Sequence, residues 1–284
     1  MSAKERDHVT GVETTGHEWD GIKELNNPLP AWWLYTFYVC IAFAVLWWVL
    51  YPSWPTSSTY LGGVLGYDQR QDVRDRLAEA REAQGAWRSR IAEQDPAAII
   101  ADPELLTFAV AGGEVAFKEN CAPCHGLGGA GQLNYPTLAD DAWIWGGTVD
   151  DIEYTVRHGI RNADDDDARY ADMPAYGDMF DAGQIEAVAD HVLSFTSDTP
   201  DNAEGATLFA ENCAACHAED GGGDPTMGAP ALNDAIWLYG EGRDAVIAQV
   251  TRPRQGVMPA WQGRLSDDEI KMLTVYVHSL GGGQ

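Results

Sequence analysis

From Ala31 to Tyr51 the chain carries 21 residues without a charge, most of them apolar. As a helix this run spans about 31 Å, which matches the hydrocarbon core of a bilayer, so the pattern predicts one transmembrane helix over 31–51. Trp32, Trp33 and Tyr35 at one end and Trp47, Trp48, Tyr51 and Trp54 at the other form the aromatic belts of two interfaces. A cleaved signal peptide is the competing assignment, but the run is too long, lies too far from Met1 and lacks a small-x-small cleavage site. Residues 1–30 are polar, mixed in charge and without clear periodicity, which predicts an unembedded tail. Segment 52–103 opens with a Pro-, Ser-, Thr- and Gly-rich linker, Pro52 to Gly66. A helix is expected between Asp68 and Glu93, where Val73, Leu77, Ala80, Trp87 and Ile91 recur at near-helical spacing. Its apolar stripe is expected to pack on the repeat that follows. Asp95-Pro96 and Asp102-Pro103 have the form of N-cap and N1 pairs and predict two short helices.

Beyond residue 104 the pattern occurs twice. Phe117-Lys118-Glu119-Asn120-Cys121 matches Phe209-Ala210-Glu211-Asn212-Cys213, and glycine-rich loops follow at Gly126 to Gly131 and Gly221 to Gly223. Pro136-Thr137-Leu138 with Trp143-Ile144-Trp145-Gly146 is echoed by Pro230-Ala231-Leu232 with Trp237-Leu238-Tyr239-Gly240. Met173-Pro174-Ala175-Tyr176 is echoed by Met258-Pro259-Ala260-Trp261. Each copy closes with an amphipathic helix, Ala182 to Phe195 and Asp267 to Leu280. The fold class this predicts is all-α: a membrane helix followed by two tandem copies of one domain, 104–198 and 199–284.

Four of the five cysteines lie in the pentads Cys121-Ala122-Pro123-Cys124-His125 and Cys213-Ala214-Ala215-Cys216-His217. Cys-x-x-Cys-His is the attachment signature of c-type haem. Two thiols one helical turn apart add across the porphyrin vinyl groups, and the next residue offers an imidazole to the iron. A zinc site or a redox dithiol also uses Cys-x-x-Cys, but zinc needs further Cys ligands nearby and neither pentad has one. Two intact copies in matched context point to two covalently bound haems c, held by Cys121, Cys124, Cys213 and Cys216 and ligated by His125 and His217. A sixth ligand is still required. Met173 lies 48 residues after His125 and Met258 lies 41 after His217, each on a Pro-stiffened loop, and His plus Met raises the reduction potential. Core filling is the ordinary role of a Met, and the matched Met-Pro-Ala-aromatic loops are what single these two out. Met227, aligned with Leu133, is the second choice for one haem, while Met179 has no counterpart. His158 and His191 align with no histidine in the other repeat, and these two and His278, on the closing helix, read as surface or core residues. The run Asp164-Asp165-Asp166-Asp167 lacks the Gly and distal Glu of a calcium loop and reads as solvated. No nucleophile elbow, phosphate loop or dinucleotide fingerprint is present.

Composition adds the charge. The chain has 44 acidic residues against 18 Lys and Arg, a formal net of −26, and nearly all of the imbalance follows the apolar run. A polyanion would be repelled, so nucleic acid is excluded as a partner. The acidity fits either a solvated surface or a face that steers a basic protein donor. Lys4, Arg6 and Lys23 precede the span and only Arg70 follows it closely, so the positive-inside rule sets the N-terminus in the cytoplasm. The two repeats then lie on the outer, periplasmic side of a bacterial inner membrane, where covalent haem attachment is completed. Cys40, mid-span, reads as a small thiol without a role.

The whole chain resembles the dihaem subunit III, CcoP or FixP, of cbb(3)-type cytochrome c oxidases. The resemblance rests on His17-Glu18-Trp19-Asp20-Gly21-Ile22, Glu24-Leu25-Asn26-Asn27-Pro28 and Pro30-Ala31-Trp32-Trp33, and on Met227-Gly228-Ala229-Pro230 with Trp237-Leu238-Tyr239-Gly240. Some members of that family carry two membrane helices near the N-terminus, and this chain has one. The resemblance implies two class I cytochrome c domains. It also implies electron flow from a donor cytochrome c through two haems to a monohaem subunit, and on to an oxygen-reducing, proton-pumping catalytic subunit. The single span contains no histidine, so the chain can carry electrons without holding the oxygen-reducing centre. A stand-alone membrane-tethered dihaem carrier is the alternative, and an enzyme or sensor with one five-coordinate haem is a further rival.

Overall fold

Asp20 and Gly21 take positive φ, 51° and 82°, the left-handed pair that a two-residue hairpin turn requires. They join β1 (Thr14–Trp19) to β2 (Ile22–Leu25) in an antiparallel ladder with Trp19 opposite Ile22 and Glu18 opposite Lys23. The expected tail is thus a hairpin here, and among the described residues the otherwise helical fold carries this one small sheet. The structure is a computed structural model that describes residues 5–281. Lys4, one of the basic residues counted ahead of the span, lies outside them.

Residues 1–82 form one unit and residues 83–284 another. In the first, the uncharged run is a single helix, α1 (Ala31–Leu50), with none of its side chains buried. After α1 the linker folds back. The N–H groups of Val64 and Leu65 donate to the carbonyls of Val49 and Leu50 at 2.9 and 3.1 Å, and Ser53 Oγ donates to the Trp48 carbonyl at 3.0 Å. These bonds satisfy carbonyls that a helix end leaves open. Helix α2 (Gln69–Glu93) begins in the first unit and ends in the second. Val73 and Leu77, early in its stripe, are exposed.

In the second unit Trp87 and Ile91 pack with Ile99, Leu105, Ala109, Met272 and Val275, so only the C-terminal part of the α2 stripe is covered. Asp95 caps α3 (Pro96–Ala101) through the Ala98 N–H at 2.7 Å. Asp102 caps α4 (Pro103–Asn120), accepting from the N–H groups of Glu104 and Leu105 and pairing with Arg90 at 2.7 Å. The second of these helices is long, not short. Its buried Leu105, Ala109, Gly113 and Phe117 continue one apolar face at i, i+4 up to the first pentad.

The remaining helices are α5 (Ala122–His125), α6 (Val149–His158), α7 (Ala182–Ser194), α8 (Ala203–Asn212), α9 (Ala214–His217), α10 (Arg243–Thr251) and α11 (Asp267–His278). Matched capping boxes, Asp181 with Gln184 and Ser266 with Glu269, open α7 and α11. The first helix of each repeat packs on the closing helix of the other. Helix α4 crosses α11, with Phe117 and Tyr276 ring centroids 5.3 Å apart. Helix α8 crosses α7, with Phe195 and Phe209 at 5.5 Å. Two cores result. One gathers Phe117, Ile152, Val156, Ile270, Leu273, Tyr276 and Val277, and the other Tyr176, Ile185, Val188, Ala189, Val192, Phe209, Val246 and Val250. The second group is one continuous stretch of chain, and the first is split around it.

Ion pairs brace both groups. Arg157 links Glu153 to Asp267 across α6 and α11, and Arg243 links α10 to Glu186 and Asp190 of α7. Burial raises the pKa of Asp151, but hydrogen bonds from Thr148 and Arg169 outweigh it and leave the carboxyl below its ordinary value. A depressed carboxylate contributes stability that is complete above its unfolded value of about 3.9 and is lost as pH falls through its folded value. Asp151→Asn is expected to cost about 0.5–1 kcal/mol at neutral pH, a figure discounted for solvent screening. Thermal melts of the two proteins should draw together progressively as pH falls from about 4.

Candidate functional site: two pentads and their axial residues

Each pentad begins where a long helix ends. Cys121 closes α4 by donating its N–H to the Phe117 carbonyl at 2.8 Å, and the N–H groups of Cys124 and His125 return to the Cys121 carbonyl at 3.0 and 2.8 Å. Cys213, Cys216 and His217 repeat this after α8, at 2.8, 3.1 and 3.0 Å. One helical turn sets residues i, i+3 and i+4 on a common face, so both cysteines and the histidine of a pentad address one side.

Nδ1 of His125 lies 3.1 Å from the Pro136 carbonyl, and Nδ1 of His217 lies 3.0 Å from that of Pro230. A carbonyl only accepts, so Nδ1 carries the proton in each ring and Nε2 keeps its lone pair. Burial holds both imidazoles below their ordinary pKa, against the opposing pull of the carbonyl bond. They are neutral and able to ligate at neutral pH. Burial, with the neighbouring cysteine adding to it, pushes the thiols of Cys121 and Cys213 up to about 11. The roles of Pro136 and Pro230 went unread in the sequence, although both prolines belong to the matched motifs. The signal was a proline 11 residues after one histidine and 13 after the other.

The walls are apolar. Cys121 and Ala122 pack against the first core, as do Leu138, Trp143, Trp261, Leu265 and Leu280; Cys213 and Ala214 pack against the second, as do Met173, Leu232 and Trp237. Paired thiols one turn apart, a pinned neutral imidazole and an apolar wall suit a thioether-linked haem at each pentad.

Each methionine loop packs beside the core that carries the pentad of the other repeat. Met173 packs in the core that holds Cys213, and Tyr176, three residues on, donates its hydroxyl to the Asn212 carbonyl at 2.7 Å. Met258 forms an antiparallel bridge with Ile160 just after α6, with both N–H to carbonyl distances at 3.0 Å. The N–H of Trp261 donates to the Val156 carbonyl at 3.1 Å, and its ring packs on the core that holds Cys121. The sequence leaves open whether the two methionines are exchanged between the repeats, and the packing favours exchange. Each Met-Pro-Ala-aromatic segment lies with the pentad of the other repeat. Met227 is 47% and Met179 59% exposed, and Met227 sits in a turn whose Met227 N–H donates to the Asp224 carbonyl. His158 pairs with Asp165 and His191 with Asp201, and His278 ends α11.

Comparison with known proteins gives three matches along the chain. Residues 11–58 match the N-terminal domain of cytochrome oxidase-cbb3, FixP; residues 109–196 match cytochrome c; and residues 200–277 match cytochrome c oxidase, cbb3-type, subunit III. Among similar proteins, the cbb3-type cytochrome c oxidase subunit FixP of Sinorhizobium medicae is 51% identical over 284 residues, covering 99% of this chain and 98% of its own. Subunit CcoP of Azospirillum sp. is 50% identical with both chains covered in full. Subunit CcoP of Cereibacter sphaeroides is 49% identical over 95% of each.

Proposed function

The chain belongs to the subunit III family of cbb3-type cytochrome c oxidases, and from that premise we propose that it holds two haems c and relays electrons within the oxidase. It is a membrane-anchored cytochrome c subunit and partners other subunits of the enzyme. The observation that carries the count of two is the second pentad, which repeats every element of the first: the one-turn helix, the imidazole pinned to a proline carbonyl and the apolar wall. Cys121, Cys124 and His125 would hold one haem and Cys213, Cys216 and His217 the other. The packing supports Met258 as the residue that would complete the haem site of His125, and Met173 as the one that would complete that of His217.

When bound, haem c supplies a reversible one-electron iron couple. The residues of this chain do the rest. Pro136 and Pro230 fix the tautomer and plane of the two imidazoles, the Met-Pro-Ala loops offer thioethers, and Trp143, Trp237 and Trp261 keep water from the walls. Electrons enter from a donor cytochrome c and leave for the monohaem subunit and the oxygen-reducing, proton-pumping catalytic subunit. The acidic surface suits a basic donor. α1 anchors the chain in the inner membrane, with the N-terminus cytoplasmic and the haem domains periplasmic.

Mild-detergent purification through a C-terminal tag tests this reading. Co-elution of b-type haem, copper and two further membrane subunits is expected. Elution of the chain alone with two haems c would make it a tethered carrier and overturn the subunit assignment.

A further inference from the structure

Two features left aside in the sequence, the lone His158 and the run Asp164 to Asp167, meet in the structure. One donor atom each from His158, Asp165 and Asp167 lie within 4.8 Å of one another, the only such group of three among the described residues. His158 ends α6, and the loop that follows is closed by the bridge between Ile160 and Arg169, which brings the aspartates back to it. The loop is tied down where it matters: the Asp167 N–H donates to Asp165 Oδ1 at 2.9 Å, and the Tyr154 hydroxyl donates to the Asp167 carbonyl at 2.8 Å. The Tyr154 ring also lies tilted against His158, with ring centroids 4.6 Å apart.

Nδ1 of His158 is 3.2 Å from both oxygens of Asp165. A charge-assisted bond is shorter, about 2.7–2.9 Å. Two donors side by side on one small cation, each about 2.1 Å from it, stand about 3.0–3.4 Å apart. At 3.2 Å the contact is a long hydrogen bond, and the same spacing is that of neighbouring donors in a coordination sphere. The adjacent cations are committed elsewhere. Arg169 binds Asp151 and lies over the rings of Trp145 and Tyr154, and Arg161 donates to the carbonyls of Gly256 and Ala171. Among the described residues, His158 is the sole ion-pair partner of this aspartate run, so its negative charge is left largely uncompensated.

We propose that His158, Asp165 and Asp167 form a site for a first-row divalent cation of the zinc type, separate from the haem sites. One imidazole nitrogen with two carboxylates suits such an ion, whereas calcium takes six to eight oxygens. Water completes the shell, since Asp167 is exposed. The ion fastens the loop to the end of α6, next to the bridge that carries Met258.

The test is calorimetric titration of Zn²⁺ into the purified haem-loaded full chain. One saturable site is expected, weakened by about 100-fold in His158→Ala and in Asp165→Asn and by about tenfold in Asp167→Asn. Haem content and spectrum should be equal in all four proteins. Asp167→Asn alters an exposed side chain and keeps the test valid if the other variants fold poorly. Absence of saturable binding to the native chain, or native affinity in His158→Ala or Asp167→Asn, would overturn the site.

Discussion

Met258→Ala is expected to turn the haem on Cys121 and Cys124 high-spin and to leave the haem on Cys213 and Cys216 low-spin. Met173→Ala should do the reverse. The expectation follows from the packing: Met258 bridges Ile160 at the end of α6, and Trp261 seats on the core around Cys121, whereas Met173 lies in the core around Cys213. Losing a thioether leaves the iron five-coordinate, which opens that site to carbon monoxide and lowers its potential. Half of the haem should then bind carbon monoxide in either variant, against almost none in the native protein. Introducing each change into a chain whose other pentad has Ser for both cysteines shows which haem responds. A high-spin signal from the Cys213 pentad in Met258→Ala would mean that ligation stays within each repeat.

Most of the local chemistry was legible because it lies in short patterns. The uncharged run gave α1 to within a residue, and the two Asp-Pro pairs gave both helix starts. The pentads, with their imidazoles, were a matter of spacing alone. The hairpin was missed although Asp20-Gly21 is a strong turn signal, because the strands around it show no clean alternation. The exchange between repeats was illegible for a different reason. Helices α7 and α11 present equivalent apolar faces, as do α4 and α8, and a periodic pattern identifies a face without naming its partner. Chain connectivity decides the matter. Eight residues separate Ser194 from Ala203, so α7 and α8 fold back on each other as sequential neighbours tend to. The remaining pair, α4 and α11, then closes around them.

The two helix crossings yield the other large effect. Replacing glycine by alanine within a helix ordinarily stabilises it by about 1 kcal/mol, but Gly113→Ala and Gly205→Ala are expected to do the opposite. A Cβ at Gly113 would lie 2.2 Å from the Met272 carbonyl oxygen and 2.6 Å from Tyr276 Cβ, and one at Gly205 would lie 2.0 Å from the Ala187 carbonyl oxygen. The atoms in conflict include backbone carbonyls, so no change of rotamer relieves them and the helices must part. Forcing a packed contact open costs about 1–3 kcal/mol or more, enough to lower the melting temperature by several degrees. Gly85 of α2, where an added Cβ meets nothing within 4 Å, serves as the control, and Gly85→Ala should be neutral or stabilising. The exchange adds a second readout. Gly205→Ala parts α7 from α8 and should loosen the haem at Cys213, which Met173 accompanies, while Gly113→Ala should act on the haem at Cys121. Thermal melts together with carbon monoxide binding separate these outcomes. A neutral Gly205→Ala would mean that α7 and α8 do not meet at this distance, and that the exchange of closing helices between repeats is wrong.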